Sequence, residues 1–372
     1  MKITNAKLFL NRTFVPGGIE FERSITALGQ EVNGPGDLDA EGCFLIPGLI
    51  DIHTHGAAGA DTSDGDPEGL VRMSRYYAAG GVTSWCPTTV TLPEAVLEKA
   101  VTAVREFSRP ADGAKIAGIH LEGPFLSYEK RGAQNAAYLQ EPDTTMIHRL
   151  QEKSGELIKL VTIAPELPRA MAFIREISKE CTVSLGHTAC DYETAVQAFD
   201  AGAAHVTHLF NAMNGLHHRA GGLIAAAADC GATVELITDG FHVHPPMIRM
   251  AERMFGEKLV LISDSLRCAG EPDGAYELGG KPVTLKDGKA VLSGTETLAG
   301  STIHLMEGLR RAVSFGIPLE AAVYAATEAP AKAIRMENEI GVLSLGRKAD
   351  FVLLDEKLNV KAVYIEGKRA GA

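Results

Sequence analysis

The chain has 372 residues, 45% of them hydrophobic, and a formal net charge of −11. That length supports a large core and either two domains or one barrel, while the acidic balance argues against nucleic acid and anionic membrane as partners and obliges any anionic substrate to meet local positive groups. No apolar run reaches the roughly 18 residues of a membrane span, MKITNAKLFLNRTF lacks a signal-peptide pattern, and six cysteines without a CxxC pair read as mostly buried, reduced thiols, so a cytoplasmic location is expected.

Residues 1–46 carry short strand-like runs such as KITNAKLFL, ERSITALG and GCFLIP, separated by turns. From there the chain alternates apolar stretches with helical ones. The expected strands are LIPGLIDIH (45–53), GVTSWCPT (81–88), KIAGIHLEG (115–123), IKLVTIAPE (158–166), TVSLGHT (182–188), AHVTHLFN (204–211), ATVELITDG (232–240) and LVLISDS (259–265). Helices are expected at 93–107, 168–180 and 191–202, the first opening on a proline and the last on an aspartate cap with a closing glycine. Eight strand–helix units imply an α/β fold closed as a (β/α)₈ TIM-like barrel. A doubly wound open sheet is the alternative, but no GxGxxG follows the first strand.

GAYELGGKPVTLKDGKAVLSG (274–294) reads as a hairpin turning at Lys-Asp-Gly and bordering the site. The tail 346–369 offers two more strands, ADFVLL and VKAVYIEGK. Neither end has enough strands to stand alone. The expected organisation is therefore a small β-sandwich domain from 1–46 plus 341–372, around a barrel over 47–340.

Active sites of such barrels lie where strands end. In strand order those ends carry His53 and His55, then Glu122, His187, His208, Asp239 with His242, and Asp264. Residues two apart on a strand share a face, so His53 and His55 point together. Neutral imidazoles and ionised carboxylates are ligands for zinc and similar divalent ions. Singly, each histidine also reads as a satisfied core residue, Glu122 as a loop acid and Asp264 as a helix cap. Their joint placement favours a metal centre. A carboxylate beside a cation stays ionised, which lets Asp264 take a proton from water and return it to a leaving group. His120 shares Glu122's face and is expected to support it, His205 to be structural, and His148 and His304 to have no role.

The order HxH, Glu, His, His, Asp resembles the amidohydrolase superfamily. The motifs HLEGPF, LGHT, THLFNAMN, DGFHV, ISDS and LAGSTIHLMEGLR are similar to those of N-acetylglucosamine-6-phosphate deacetylases, from about residue 43 to GRKADFVLLD. The resemblance implies that Glu122, His187 and His208 hold the main metal and that Asp264 is the acid/base. It implies that Asn211, the backbone after it at Ala212, and His242 contact the sugar phosphate. Arg219 would reach the substrate of a neighbouring subunit, so a homodimer is implied; a guanidinium fork suits phosphate. Some members replace the first-strand histidines with amides and use one metal, so His53 and His55 leave room for a second ion.

Gln134 stands where some relatives have a carbonyl-polarising histidine; it can donate a hydrogen bond but cannot act as an acid. HHRAGG also lacks the acidic–proline pair expected after the arginine. The resulting expectation is hydrolysis of the acetamide of N-acetylglucosamine 6-phosphate with one or two divalent ions, zinc first, with iron, cobalt or manganese as alternatives. The rivals are the galactosamine epimer as substrate, another amidohydrolase activity, and a non-catalytic scaffold. Cyclic-amide relatives often bridge two metals with a carboxylated lysine, and no lysine stands at these strand ends.

Overall fold

The computed structural model describes residues 1–370. Its central sheet contains the pieces Leu49–Thr54, Val82–Thr89, Lys115–Ile116, Ile119–Glu122, Ile158–Ile163, Thr182–Leu185, His205–Val206, Thr233–Ile237 and Leu259–Ile262. Lys115–Ile116 and Ile119–Glu122 both pair with Val82–Thr89, so they are two halves of one stave and the barrel has eight positions. All neighbours run parallel, as in Val161 opposite Val183 and Val234 opposite Leu259. The last strand meets the first where the Asp264 N–H donates to His53 O at 2.9 Å and the His55 N–H to Ser265 O at 2.9 Å. This is the expected (β/α)₈ barrel.

Helices cover the outside, and their starts are set by short polar side chains. Asp66, Asp143 and Asp191 each accept backbone N–H groups from the first turn that follows, and Gly155 closes Thr144–Ser154 in a left-handed conformation. The helix expected over 168–180 is shorter, Ala170–Ile177, because Arg169 before it has φ 66° and cannot be helical. Inside the barrel the core is partly polar. His120 Nε2, Thr162 Oγ1, Thr207 Oγ1 and Ser184 Oγ form a buried chain with successive spacings of 2.8, 2.8 and 2.6 Å.

Two expected strands divide differently. LIPGLIDIH is not one strand: Phe44–Pro47 joins the terminal sheet and only Leu49–Thr54 enters the barrel. Gly48 makes the crossing, where an added Cβ would lie 2.1 Å from Thr83 Oγ1. In AHVTHLFN only His205–Val206 is strand. Thereafter His208, Phe210 and Ala212 take positive φ, which a pleated strand does not allow.

The terminal sheet runs in the order Lys368–Ala370, Val360–Ile365, Phe351–Leu354, Phe44–Pro47, Lys2–Leu10, Thr13–Phe21, Ile25–Gly29, with Leu38–Asp39 beside Lys2–Leu10. Phe21 touches Phe351 and Tyr364 with ring centroids 5.0 and 5.2 Å apart, although other strands lie between them in the sheet. The sheet therefore curls over its own core of Ile3, Leu8, Ile19, Leu45 and Phe351. The hairpin expected at 274–294 is part of a four-stranded antiparallel sheet completed by Leu298–Gly300. Its Lys286–Lys289 turn places Asp287 and Gly288 at φ 51° and 75°, as a tight two-residue turn requires.

Candidate metal centre and active site

Glu122, His187 and His208 end three different strands or the turns after them, and their side chains meet. Glu122 Oε1 lies 3.1 Å from His187 Nε2 and 3.0 Å from His208 Nε2, and the two nitrogens are 3.0 Å apart. Two ring nitrogens this close share either a proton or a cation. Ligands at zinc bond lengths of 2.0–2.1 Å in a tetrahedron sit about 3.3 Å from one another, so the observed triangle fits a small divalent ion. All three residues are buried. His187 donates its Nδ1–H to Lys130 O at 2.9 Å, which leaves the Nε2 lone pair facing inward.

A second group adjoins the first. His53 Nε2, His55 Nε2 and Asp264 Oδ1 are separated by 3.4, 3.6 and 3.3 Å. Glu122 faces this group too, with Oε1 3.4 Å from His53 Nε2 and Oε2 3.4 Å from His55 Nε2. One carboxylate thus stands between two sets of imidazoles, as a bridging ligand would. His55 donates Nδ1–H to Thr88 O at 3.2 Å, and His53 Nδ1 lies 2.8 Å from Glu235 Oε2, so both rings also turn Nε2 toward the centre. The donor set is nitrogen and oxygen without sulfur, which suits zinc, iron, cobalt or manganese.

The backbone is strained at three of these residues. His187, His208 and Asp264 have φ of 50°, 28° and 49°, a region L residues rarely adopt and that costs about 1–3 kcal/mol each. The surroundings impose it. The Ser127 N–H holds His187 O at 3.0 Å, and the His208 N–H donates to Glu235 Oε2 at 3.1 Å. The Ser301 N–H reaches Asp264 O at 2.7 Å.

Electrostatics keep both acids ionised. Burial opposes the charge on Glu122, but His187 and His53 hold its carboxyl well below the usual range. Asp264 is likewise lowered, burial being outweighed by His53 and His55. Asp51, beneath the site, is pushed up to about 7 by burial.

His55, Glu122, His187, His208 and Asp264 open into a cavity of about 230 Å³, lined also by Gln134, Asn211, Ala212, His242 and the strand Leu298–Gly300. His242 donates Nδ1–H to Asp239 Oδ2 at 2.7 Å, while Asp239 Oδ1 accepts the backbone N–H groups of Phe241 and His242 at 2.9 Å each. Asn211 Nδ2 donates to His208 O at 3.3 Å and Leu209 O at 3.2 Å. Gln134 donates to Glu122 Oε2 and accepts the Thr91 N–H at 2.8 Å, so its oxygen and one N–H are engaged by the protein. Lys281 reaches over from the four-stranded sheet to Gln134 O at 3.0 Å, with Arg131 near enough to act on its charge. Arg219 is not in this group. It is exposed on the loop after Asn214, with Nη1 donating to His218 Nε2 at 2.8 Å.

His205 packs as a structural residue, with Nδ1 2.5 Å from Thr233 Oγ1 and Nε2 3.2 Å from Glu235 Oε1. His120 lies against His53, ring centroids 4.5 Å apart. Sequence reasoning missed Glu235, Lys281 and the covering strand 298–300. Glu235 had one signal: a lone acid inside the apolar run TVELIT.

The amidohydrolase family pattern matches residues 44–370. The chain is similar to the N-acetylglucosamine-6-phosphate deacetylase of Bacillus subtilis, 37% identical over 95% of this chain and 89% of that protein. It is also similar to the N-acetylgalactosamine-6-phosphate deacetylase of Escherichia coli O157:H7, 36% identical over 89% of this chain and 88% of the relative. A solved structure of a deacetylase from Mycobacterium smegmatis in complex with N-acetyl-D-glucosamine 6-phosphate superposes with a TM-score of 0.93. It has 32% identity and covers 99% of this chain and 98% of that one.

Proposed function

The chain belongs to the amidohydrolase family, and we propose that it removes the acetyl group of N-acetylglucosamine 6-phosphate, yielding acetate and glucosamine 6-phosphate. The observation that carries this reading is the Glu122 carboxylate standing between His187–His208 and His53–His55 at the floor of the cavity. Glu122, His187 and His208 would hold one divalent ion, with zinc the first candidate among zinc, iron, cobalt and manganese, and His53, His55 and Asp264 would hold a second, with Glu122 shared. Such ions supply Lewis-acid polarisation of the acetamide carbonyl and acidify water.

The protein's own groups do the proton work. Asp264, ionised and aimed into the cavity, accepts a proton from the attacking water as its oxygen bonds to the carbonyl carbon. The same carboxyl then gives that proton to the amine nitrogen as the C–N bond breaks. The Gln134 N–H not directed at Glu122 is available to the carbonyl oxygen. His242 is oriented by Asp239 with Nε2 toward the substrate, where together with Asn211 and the Ala212 backbone it contacts the sugar phosphate. Arg219, outside its own cavity, serves the neighbouring site of a cytoplasmic homodimer.

The galactosamine epimer is the second reading, favoured by the Escherichia coli relative. Acetate release from both hexosamine 6-phosphates and their unphosphorylated forms, run beside elemental analysis of the protein, tests the proposal. A kcat/KM highest on N-acetylglucosamine 6-phosphate supports it; higher turnover of the galactosamine epimer replaces it with the second reading. Activity unaffected by a strong chelator defeats both.

A further inference from the structure

We infer that Glu235 is a positioning residue that ties the two ligand groups together and decides whether His53 presents a lone pair to a cation. The inference rests on reading His53, His55 and Asp264 as a second ligand group.

Glu235 comes from the middle of the seventh barrel strand, Thr233–Ile237, and is wholly buried. A carboxylate there without partners would be strongly unfavourable, yet both oxygens are used. Oε2 takes the Nδ1–H of His53 at 2.8 Å and the backbone N–H of His208 at 3.1 Å. Oε1 faces His205 Nε2 at 3.2 Å, and the Glu235 carbonyl accepts the Leu209 N–H at 2.8 Å. One side chain therefore sets a ring of the second group and the strained backbone of a residue in the first.

The chemistry of the contact fixes the tautomer. An ionised carboxylate can only accept, so His53 must carry its proton on Nδ1. In the neutral ring Nε2 is then the unprotonated nitrogen, and it faces His55 Nε2, Asp264 Oδ1 and Glu122 Oε1 at 3.4 to 3.6 Å. An acceptor on the far nitrogen also makes an imidazole a stronger donor to a cation. His55 has only a neutral carbonyl, Thr88 O, at 3.2 Å. Glu235 thus makes His53 the stronger of the two ligands on the first strand.

The test is a zinc titration of metal-stripped protein with elemental analysis after dialysis, on the parent, Glu235→Gln, Glu235→Leu and His53→Ala. Glu235→Gln keeps an acceptor for His53 and should weaken the second ion about 10-fold, and Glu235→Leu about 100-fold. The first ion should stay within about threefold of the parent in Glu235→Gln. That selectivity separates positioning from general loss of structure, which would weaken both ions alike. Should Glu235→Leu fail to fold, the comparison of Glu235→Gln with the parent decides the matter. Two ions bound as tightly by Glu235→Gln as by the parent would overturn the inference alone. A parent that takes up one ion, unchanged in His53→Ala, would overturn the two-group reading and this inference with it.

Discussion

Glu122 Oε1 lies 3.0 Å from His208 Nε2 although 86 residues separate the two in the chain. The contact exists because the third and sixth strands end at the same rim, and the other Glu122 oxygen is turned toward His55. Glu122→Ala should therefore empty both ligand groups, whereas His55→Ala should lower metal content by at most one ion. Elemental analysis after dialysis measures this; equal metal loss in the two variants would contradict a shared carboxylate.

Asp264→Asn removes the proton acceptor while changing no volume. kcat should fall about 10²–10⁴-fold, with the Glu122–His187–His208 ion retained. Rates near the parent's would remove Asp264 from the proton relay.

Arg219→Ala should raise KM for the phosphorylated sugar about 10-fold or more, in line with the roughly 1.5–3 kcal/mol of a hydrogen bond to a charged group, and leave the unphosphorylated sugar unchanged. Mixing Arg219→Ala with Asp264→Asn chains should restore part of the activity, since a hybrid dimer contains one complete site. Without complementation, the arginine does not act across an interface.

The rim was legible because its candidate ligands close apolar strands one after another, as in HLEG, LGHT and ISDS, and a joint pattern of that kind outweighs the separate reading each residue has alone. Glu235 was not, because a mid-strand acid on a parallel barrel reads as part of a continuous apolar run until the interior is known to be polar. LIPGLIDIH looked like one strand because Gly48 is silent in hydropathy; what divides it is the Thr83 side chain packed against it, a contact 35 residues away. The positive φ values at His187, His208 and Asp264 had no signal either, since only glycine advertises that conformation.

Asp239 contributes to stability through its hydrogen bonds to His242. Burial raises its pKa, but the His242 contacts outweigh this and hold it below the ordinary value. The stabilisation is thus complete above the unfolded aspartate value of about 3.9 and is lost as pH falls through the lower folded value. Asp239→Asn should cost about 1.5–3 kcal/mol at pH 7, and the gap from the parent should close in strong acid. Denaturant midpoints followed from neutral pH into strong acid, below the unfolded aspartate value, would show it; a gap independent of pH would exclude a charge-based role.

Of the cysteines, Cys86, Cys181, Cys190 and Cys268 are buried, Cys43 is half-buried and Cys230 is exposed. Burial pushes Cys181 and Cys190 up to about 12 and Cys268 to about 11, so their thiolates are scarce at neutral pH. A thiol reagent should label Cys230 first and leave the four buried thiols until the protein unfolds. Cys230→Ser should abolish the fast phase; its persistence would show that another thiol is reached.

Phe44–Pro47 pairs with Phe351–Leu354, residue 44 opposite residue 354. Between them lies the entire barrel, some 300 residues that a ribosome adding about 5–20 per second takes roughly 15–60 s to make. Throughout that interval the strand Phe44–Pro47 has an unmatched edge, and the opening segments must wait beside a half-built cylinder. The terminal sheet is therefore a late seal on translation: a tail cut back past Phe351–Leu354 would withdraw the partner from a strand hundreds of positions upstream, leaving nascent edges open to aggregation.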